Sequence, residues 1–379
     1  MRSALVLCVV LALSSTAGAR ELVEGASVNV DGRTVTLTRL DTLAYVESDF
    51  TRRFKFDSYD NPKLKALRTR YHLDEVVAPG KDEFERQLLL LDWVNHRFKK
   101  FGRPTSEARG ALDILTAIDQ GNAFFCSHYG DVFVSAAASM GWVDRALALR
   151  RPDNVGQGST EHTSTEIWSN QYGKWIMLDP TFAMYAQKNA TPLNAFELRQ
   201  EWYYNDARDV VFVLDKDHKR VRKSDMPVFR GRYAGFGDLN FDPSAIIVYA
   251  FIGYIPNTNF MDGGPDYGKM FITRDKLCEG TNWHKRIAPA DPAKDPYFPI
   301  DQAAMTLTAE AGGASVHVAL KTLTPNFKTY LARIDGGEWK AVGDAFEWTP
   351  HAGANRLEAK TVNRFGVEGP MSVAQIEGR

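Results

Sequence analysis

Three side chains have the types and spacing to do chemistry together: Cys126, His162 and Asp179. A thiolate is a strong nucleophile, and a cysteine that opens a helix has its thiolate favoured by the oriented amides and dipole of the first turn. Cys126 opens such a stretch: Tyr129, Phe133, Ala136, Ala137 and Met140 recur on one side, and Gly141 stops it. The run Gly121-Asn122-Ala123-Phe124-Phe125 supplies the turn leading in. Residues 162–168 alternate, so His162, Ser164, Glu166 and Trp168 share one strand face. A loop over 169–172 into a strand at 174–178 would set His162 opposite Asp179, within reach of an imidazole–carboxylate hydrogen bond. Such a bond fixes the tautomer, stabilises the imidazolium and leaves the other ring nitrogen to draw the proton from Cys126. Taken singly, each residue also has a plain reading: a small buried hydrophobe, a surface histidine, an ordinary strand exit. Their register together points to a nucleophile, a base and an orienting acid.

The elements that would hold this trio run helices first and strands afterwards. Residues 81–100 place Phe84, Leu88, Leu91, Val94 and Phe98 at spacings of three and four, an amphipathic helix; 106–118 predicts a second, capped by Ser106. Stretches 146–149, 163–168 and 174–178 suit a sheet, which makes the fold class α+β. From 180 to about 300 no period is sustained, so irregular strands and loops are expected, with 245–255 a buried strand. Upstream, 28–30 and 34–38 alternate around Asp31-Gly32, a hairpin signal. Residues 288–299 are dense in Pro, Asp and Ala, as in a linker. From 305 onward, short strands at regular spacing predict an all-β sandwich of immunoglobulin or fibronectin type III kind, without a catalytic cluster. The expected organisation is a signal peptide at 1–19, a hairpin element at 20–60, a catalytic domain at 61–287, a linker at 288–301 and the sandwich at 302–379.

A helix-opening cysteine, a strand that begins with His and carries an acid four residues on, and a second strand ending in Asp-Pro-Thr resemble the transglutaminase-like superfamily. The residues that carry the resemblance are Cys126, Met140-Gly141, Arg145, His162, Glu166, Gly173-Lys174-Trp175 and Leu178-Asp179-Pro180-Thr181, within about residues 80 to 185. The resemblance implies a papain-like core and acyl transfer through a thioester. Many relatives place Gly and then Gln, or another small or polar residue, just ahead of the cysteine, where this chain has Phe124-Phe125. The backbone amide of Cys126 is then expected to form half of an oxyanion hole, with Gln120 or Asn122 as candidates for the other half. Glu166 is expected to be a structural partner rather than a catalyst, and Arg145 to pair with an acid in the core. His128 falls on another side of the helix from Cys126 and is not expected to act as the base.

Composition bounds the setting. Lys and Arg number 46 against 47 Asp and Glu, a net charge of -1, so no basic field gathers nucleic acid. Met1-Arg2, an apolar stretch from 4 to 13 and Ala17-Gly18-Ala19 read as a secretory signal cleaved after Ala19, too short to span a bilayer. A periplasmic or secreted protein without a transmembrane segment is expected. Cleavage would leave Cys126 and Cys278, which either form one disulfide or leave Cys126 a working thiol. The remaining histidines lack ligand spacing, and the acidic loops 238–242 and 262–266 read as turns rather than calcium sites, so no metal or cofactor is expected. The expected function is a cysteine enzyme that hydrolyses an amide or peptide bond, or transfers its acyl group, in a protein or peptide substrate of the cell envelope. The alternative is a non-catalytic envelope binding or assembly protein that keeps the fold as a scaffold.

Overall fold

The computed structural model describes residues 18–150, 161–214, 218–225, 250–262, 265–266, 269–273 and 288–379. The expected signal peptide up to residue 17, Cys278, the loop 238–242 and part of the loop 262–266 lie outside the described residues. Among the described residues no helix is long and apolar enough to cross a membrane.

Strands β1 (Ala19–Glu21), β2 (Ser27–Val30) and β3 (Arg33–Asp41) come first, followed by helices α1 (Pro62–Arg70), α2 (Leu73–Val77), α3 (Glu83–Arg97), α4 (Ala111–Asp119) and α5 (Cys126–Ser139). The apolar stripe of α3 buries Phe84, Leu88, Leu91 and Val94 as its spacing predicts. Helix α4 begins later than expected. Ser106 caps only a turn, accepting from Ala108 N at 3.2 Å, and the helix starts after Gly110 at φ +76°.

Next come β4 (Asp144–Arg150), β5 (Glu161–Ser169), β6 (Lys174–Leu178), β7 (Met184–Lys188), β8 (Thr191–Pro192), α6 (Ala195–Tyr204), β9 (Val210–Leu214), β10 (Lys219–Val221), β11 (Phe251–Tyr254) and β12 (Phe271–Ile272). An antiparallel five-stranded sheet runs β12-β11-β4-β5-β6, with α5 packed on β4 and β5. Strands β4 and β5 are buried nearly end to end rather than on alternate residues, as in a sheet covered on both faces. A second small sheet runs β10-β9-β7-β8. Helix α6 lies where only irregular structure was expected. Asn194 Oδ1 accepts from Glu197 N at 2.8 Å and Glu197 Oε2 from Asn194 N at 2.8 Å, a reciprocal cap that holds its start.

The last strands are β13 (Ala304–Glu310), β14 (Val316–Lys321), β15 (Phe327–Ile334), β16 (Lys340–Val342), β17 (Ala345–Trp348), β18 (Gly353–Asn363) and β19 (Ser372–Gly378). They lie in two sheets, β1-β13-β14-β17 and β16-β15-β18-β19-β3-β2, which share one apolar cluster that includes Leu22, Val35, Leu37, Leu307, Val318, Trp348 and Leu357. Two sequence-based boundaries are corrected here. The hairpin expected as a separate element at 20–60 is the pair β2–β3, and it is not separate: β3 pairs along β19 while β1 pairs with β13, so N-terminal strands complete both sheets. The expected linker at 288–301 is not a free tether either. Phe298 and Ile300 are buried in the core formed with α3, α5 and β4–β6, because Tyr, Phe and Ile interrupt the Pro- and Asp-rich run and have apolar surface to bury.

Candidate active site

Cys126 is the first residue of α5 and partly exposed. The chain reaches it through a bridge between Phe101 and Phe124, with Gly102 N donating to Phe124 O at 3.1 Å and Phe124 fully buried. No side chain caps α5, and the amides of Cys126 and Ser127 donate to no acceptor among the described residues. These uncapped amides and the helix dipole favour negative charge beside the sulfur. One turn on, Gly130 lets the helix approach β5: a Cβ there would stand 3.1 Å from the Thr163 methyl.

His162 sits one residue into β5 and is 4% exposed; Asp179, just beyond β6, is 1% exposed. The His162 Nε2 to Asp179 Oδ2 distance is 2.7 Å. The register differs from the one the sequence suggests. Thr165 pairs with Leu178 and Ser169 with Lys174, so the loop keeps its four residues but sits one residue later, at 170–173, and Asp179 falls level with Ser164, two residues past His162. A shift of two keeps both side chains on one face, and a diagonal neighbour remains in reach of an imidazole. Asp179 is held from several sides. Its Oδ1 accepts from Thr181 N at 2.9 Å and Phe182 N at 3.3 Å, and its backbone exchanges hydrogen bonds with Met184.

With Nε2 committed to Asp179, Nδ1 is the ring nitrogen left for a thiol, and the Cys126 sulfur is near enough to act on the charge of His162. Burial penalises the imidazolium, but the Asp179 carboxylate and then Cys126 outweigh it, and the histidine is raised to about 10. The arrangement therefore stores a proton next to a sulfur that faces helix amides.

Two residues that the motif reading passed over help to position the site. Asn95, on the buried side of α3, donates Nδ2 to Pro180 O at 3.0 Å and Thr181 O at 2.8 Å, pinning the turn that carries Asp179. An amide within an apolar stripe is the sequence signal for such a role. Phe182 sets its ring 5.5 Å from the His162 ring, tilted at 42°. Aromatic cover of this kind keeps water from competing for the His162–Asp179 bond.

The other expected residues fall as follows. Asn122 is tied into its own turn, accepting from Thr105 Oγ1 at 2.9 Å and donating to Ala117 O at 3.0 Å, and Gln120 is exposed at the end of α4. Among the described residues no hydrogen bond links either side chain to Cys126. His128 packs 4.7 Å from the Phe124 ring, and burial, aided by Arg109, lowers it to about 4. Arg145 and Glu166 are fully buried and bonded to each other: Arg145 Nη2 and Nε reach Glu166 Oε2 at 2.7 and 3.0 Å. The guanidinium lies over the Trp175 ring at 4.1 Å and also donates to Pro296 O. Glu166 Oε1 accepts from Ala195 N at the start of α6 and from the Tyr297 hydroxyl. Among the described residues no three His, Cys, Asp or Glu side chains gather as a metal site.

No family model matches this sequence, and no curated protein matches it. Among solved structures, similarity is found to the periplasmic domain of TgpA from Pseudomonas aeruginosa bound to ethylmercury, at 21% identity and a TM-score of 0.25, over 35% of this chain and 49% of that one. It is found to a candidate cysteine protease from Cytophaga hutchinsonii at 14% identity and a TM-score of 0.25, over 39% of this chain and 49% of that one. Red sea bream transglutaminase aligns over 90% of this chain and 76% of its own, at 11% identity and a TM-score of 0.27. The alignments to the first two span about half of those chains. TM-scores this low leave the geometry of the site to carry the functional reading.

Proposed function

We propose that this protein is a cysteine enzyme in which Cys126 attacks the carbonyl carbon of an amide or peptide bond. The observation that carries the reading is a buried His162 bonded to Asp179 at 2.7 Å, with its charge felt by a partly exposed thiol at an uncapped helix start. In the first half-reaction the Cys126 sulfur forms a bond to carbon, the carbonyl electrons move onto oxygen, and the helix amides receive that charge. His162 then gives its proton to the leaving amine as the carbon–nitrogen bond breaks, and a thioester remains on Cys126. In the second half-reaction water or an amine attacks the thioester, His162 takes its proton, and the carbon–sulfur bond breaks to release the Cys126 thiolate beside the imidazolium. Water gives hydrolysis and an amine gives transfer. A partly exposed sulfur suits a polypeptide substrate, and an exported protein would meet such substrates in the cell envelope.

The test is alkylation of Cys126 by iodoacetamide across pH, in the native protein and in His162→Ala. Fast labelling well below the ordinary thiol pKa of about 8.5, lost without His162, is the expected result. Labelling indifferent to His162, or none before reduction, would instead mean a scaffold with an idle or oxidised sulfur.

A further inference from the structure

A groove of about 530 Å³ opens far from Cys126, between the start of α3, the β5–β6 turn and the β7–β9–β10 face. That volume lies within the range of ordinary ligand sites. His162 is at one end of β5 and the turn at the other, so eight residues at about 3.3 Å each separate them by roughly 25 Å. Tyr185, Val213 and Arg220 stand opposite one another across three strands and share one face, with Gln187 two residues along from Tyr185. Leu88 and Leu89 of α3 form the facing wall.

The polar groups around the groove are unequally committed. Asp82 caps α3 by accepting from Glu85 N at 2.9 Å, and Glu85 accepts from Lys81 N at 2.8 Å. Both acids are thus engaged with backbone. Arg220, exposed at the groove's edge, has no acidic partner among the described residues, and its charge is felt by the Tyr185 hydroxyl. Gln187 is buried, lines the groove, and its carboxamide has no hydrogen-bond partner among the described residues. The uncommitted groups around the groove therefore include the Arg220 cation, the exposed His218 imidazole and the Gln187 amide, beside an aliphatic wall.

We propose that this groove docks the C-terminal end of a peptide. An apolar side chain would rest on Leu88, Leu89 and Val213, the peptide backbone would bond to Gln187, and the terminal carboxylate would meet Arg220, whose planar fork matches a carboxylate in two-point contact. Saccharides fit less well. Sugar stacking needs an open aromatic face, whereas Phe84 and Tyr185 turn edge to face against each other at 5.3 Å and 88°, leaving Tyr172, at 37% exposed, near the rim. The site stands apart from the acyl-transfer reading, because it needs no chemistry at Cys126.

Fluorescence anisotropy on the full chain carrying Cys126→Ser would test it, using a labelled tetrapeptide pool with free C-terminal carboxylates and the same pool amidated. The free pool should bind saturably and the amidated pool at least tenfold more weakly. Arg220→Met should erase that difference, and Leu89→Glu should weaken both pools. Equal binding of the two pools, no binding of the free pool at millimolar concentration, or a preference that survives Arg220→Met would overturn the proposal. So would binding of chitotetraose that is lost in Tyr172→Ala while peptides fail to bind. Activity at Cys126 enters none of these readings, so failure here and failure of the triad are separable.

Discussion

Asp179 shows how much a single carboxylate can do when everything around it is fixed. It accepts two backbone amides through one oxygen and holds His162 through the other, so the ring can neither flip nor lose its proton cheaply. The sign of the resulting pH dependence follows. His162 is raised to about 10, so the imidazolium is present across the neutral range and is lost only as pH rises through that value. In Asp179→Asn the charge that holds the proton is gone. The His162 titration, followed by NMR of the ring nitrogens, should move down by about 1–3 pH units, and acylation should slow by about 10²- to 10⁴-fold. A titration left at its original position would mean that Asp179 is not what holds the proton. This constellation was legible in the sequence because strand alternation has a period of two. The pairing was two residues off, yet an even error leaves His162 and Asp179 on one face. Gln120 and Asn122 were less legible, since proximity in sequence says nothing of where a turn directs its side chains.

At the scale of elements, the segment around Pro296–Ile300 acts as a strap across the sheet that carries the site. Pro296 O receives Arg145, Tyr297 reaches Glu166, and Phe298 O accepts Trp175 Nε1 at 2.9 Å. Glu166 is the hub, since it joins β4, β5, the start of α6 and the strap. Glu166→Gln would leave the Arg145 charge buried without its counterion. A loss of about 3–5 kcal/mol in urea unfolding at fixed pH is expected. A loss under 1 kcal/mol would show that the aromatic rings alone satisfy the guanidinium. The composition of 288–299, dense in Pro, Asp and Ala, is that of a tether. What it concealed was that a few apolar side chains decide whether such a run floats or docks. Helix α6 had a signal, Asn194 with Glu197 three residues on, but only one short turn of apolar spacing to support it.

For the whole molecule, the lobe of α3–α6 and the paired sheets meet where the buried Asp301 carboxylate feels the charge of the half-buried Glu83. Burial and then the nearby Glu83 charge push Asp301 up to about 7, while Asn170 and Thr324 hydrogen bonds moderate the shift. Burial also raises Glu83, against bonds from Gln171 N and Ser169 Oγ. A folded-state value above the unfolded one of about 3.9 means stability fully present at low pH and lost as pH rises toward 7. Unfolding free energy should therefore decline over that window by a few kcal/mol, and Asp301→Asn should flatten the decline. Asp131, raised to about 8 by burial, contributes a slope of the same sign that persists in that variant. A decline unchanged in Asp301→Asn would remove the junction as its source. Sheet membership was the least legible property of all, because alternation marks a strand without naming its neighbour. Nothing local in 33–41 indicates pairing with 372–378.

That pairing also imposes a timetable on the chain as it is made. Thr34 and Arg379 exchange backbone hydrogen bonds at 3.0 and 2.9 Å, so β3, already paired with β2 on one side, gains its second partner only once β19, more than 300 residues on, has emerged. At ordinary synthesis speeds that wait is on the order of tens of seconds. Throughout it Val35 and Leu37, both buried in the finished protein, lack their final cover. Until β19 is made the nascent chain thus carries an unsealed, sticky edge, and its safe passage depends on whatever shields that edge meanwhile.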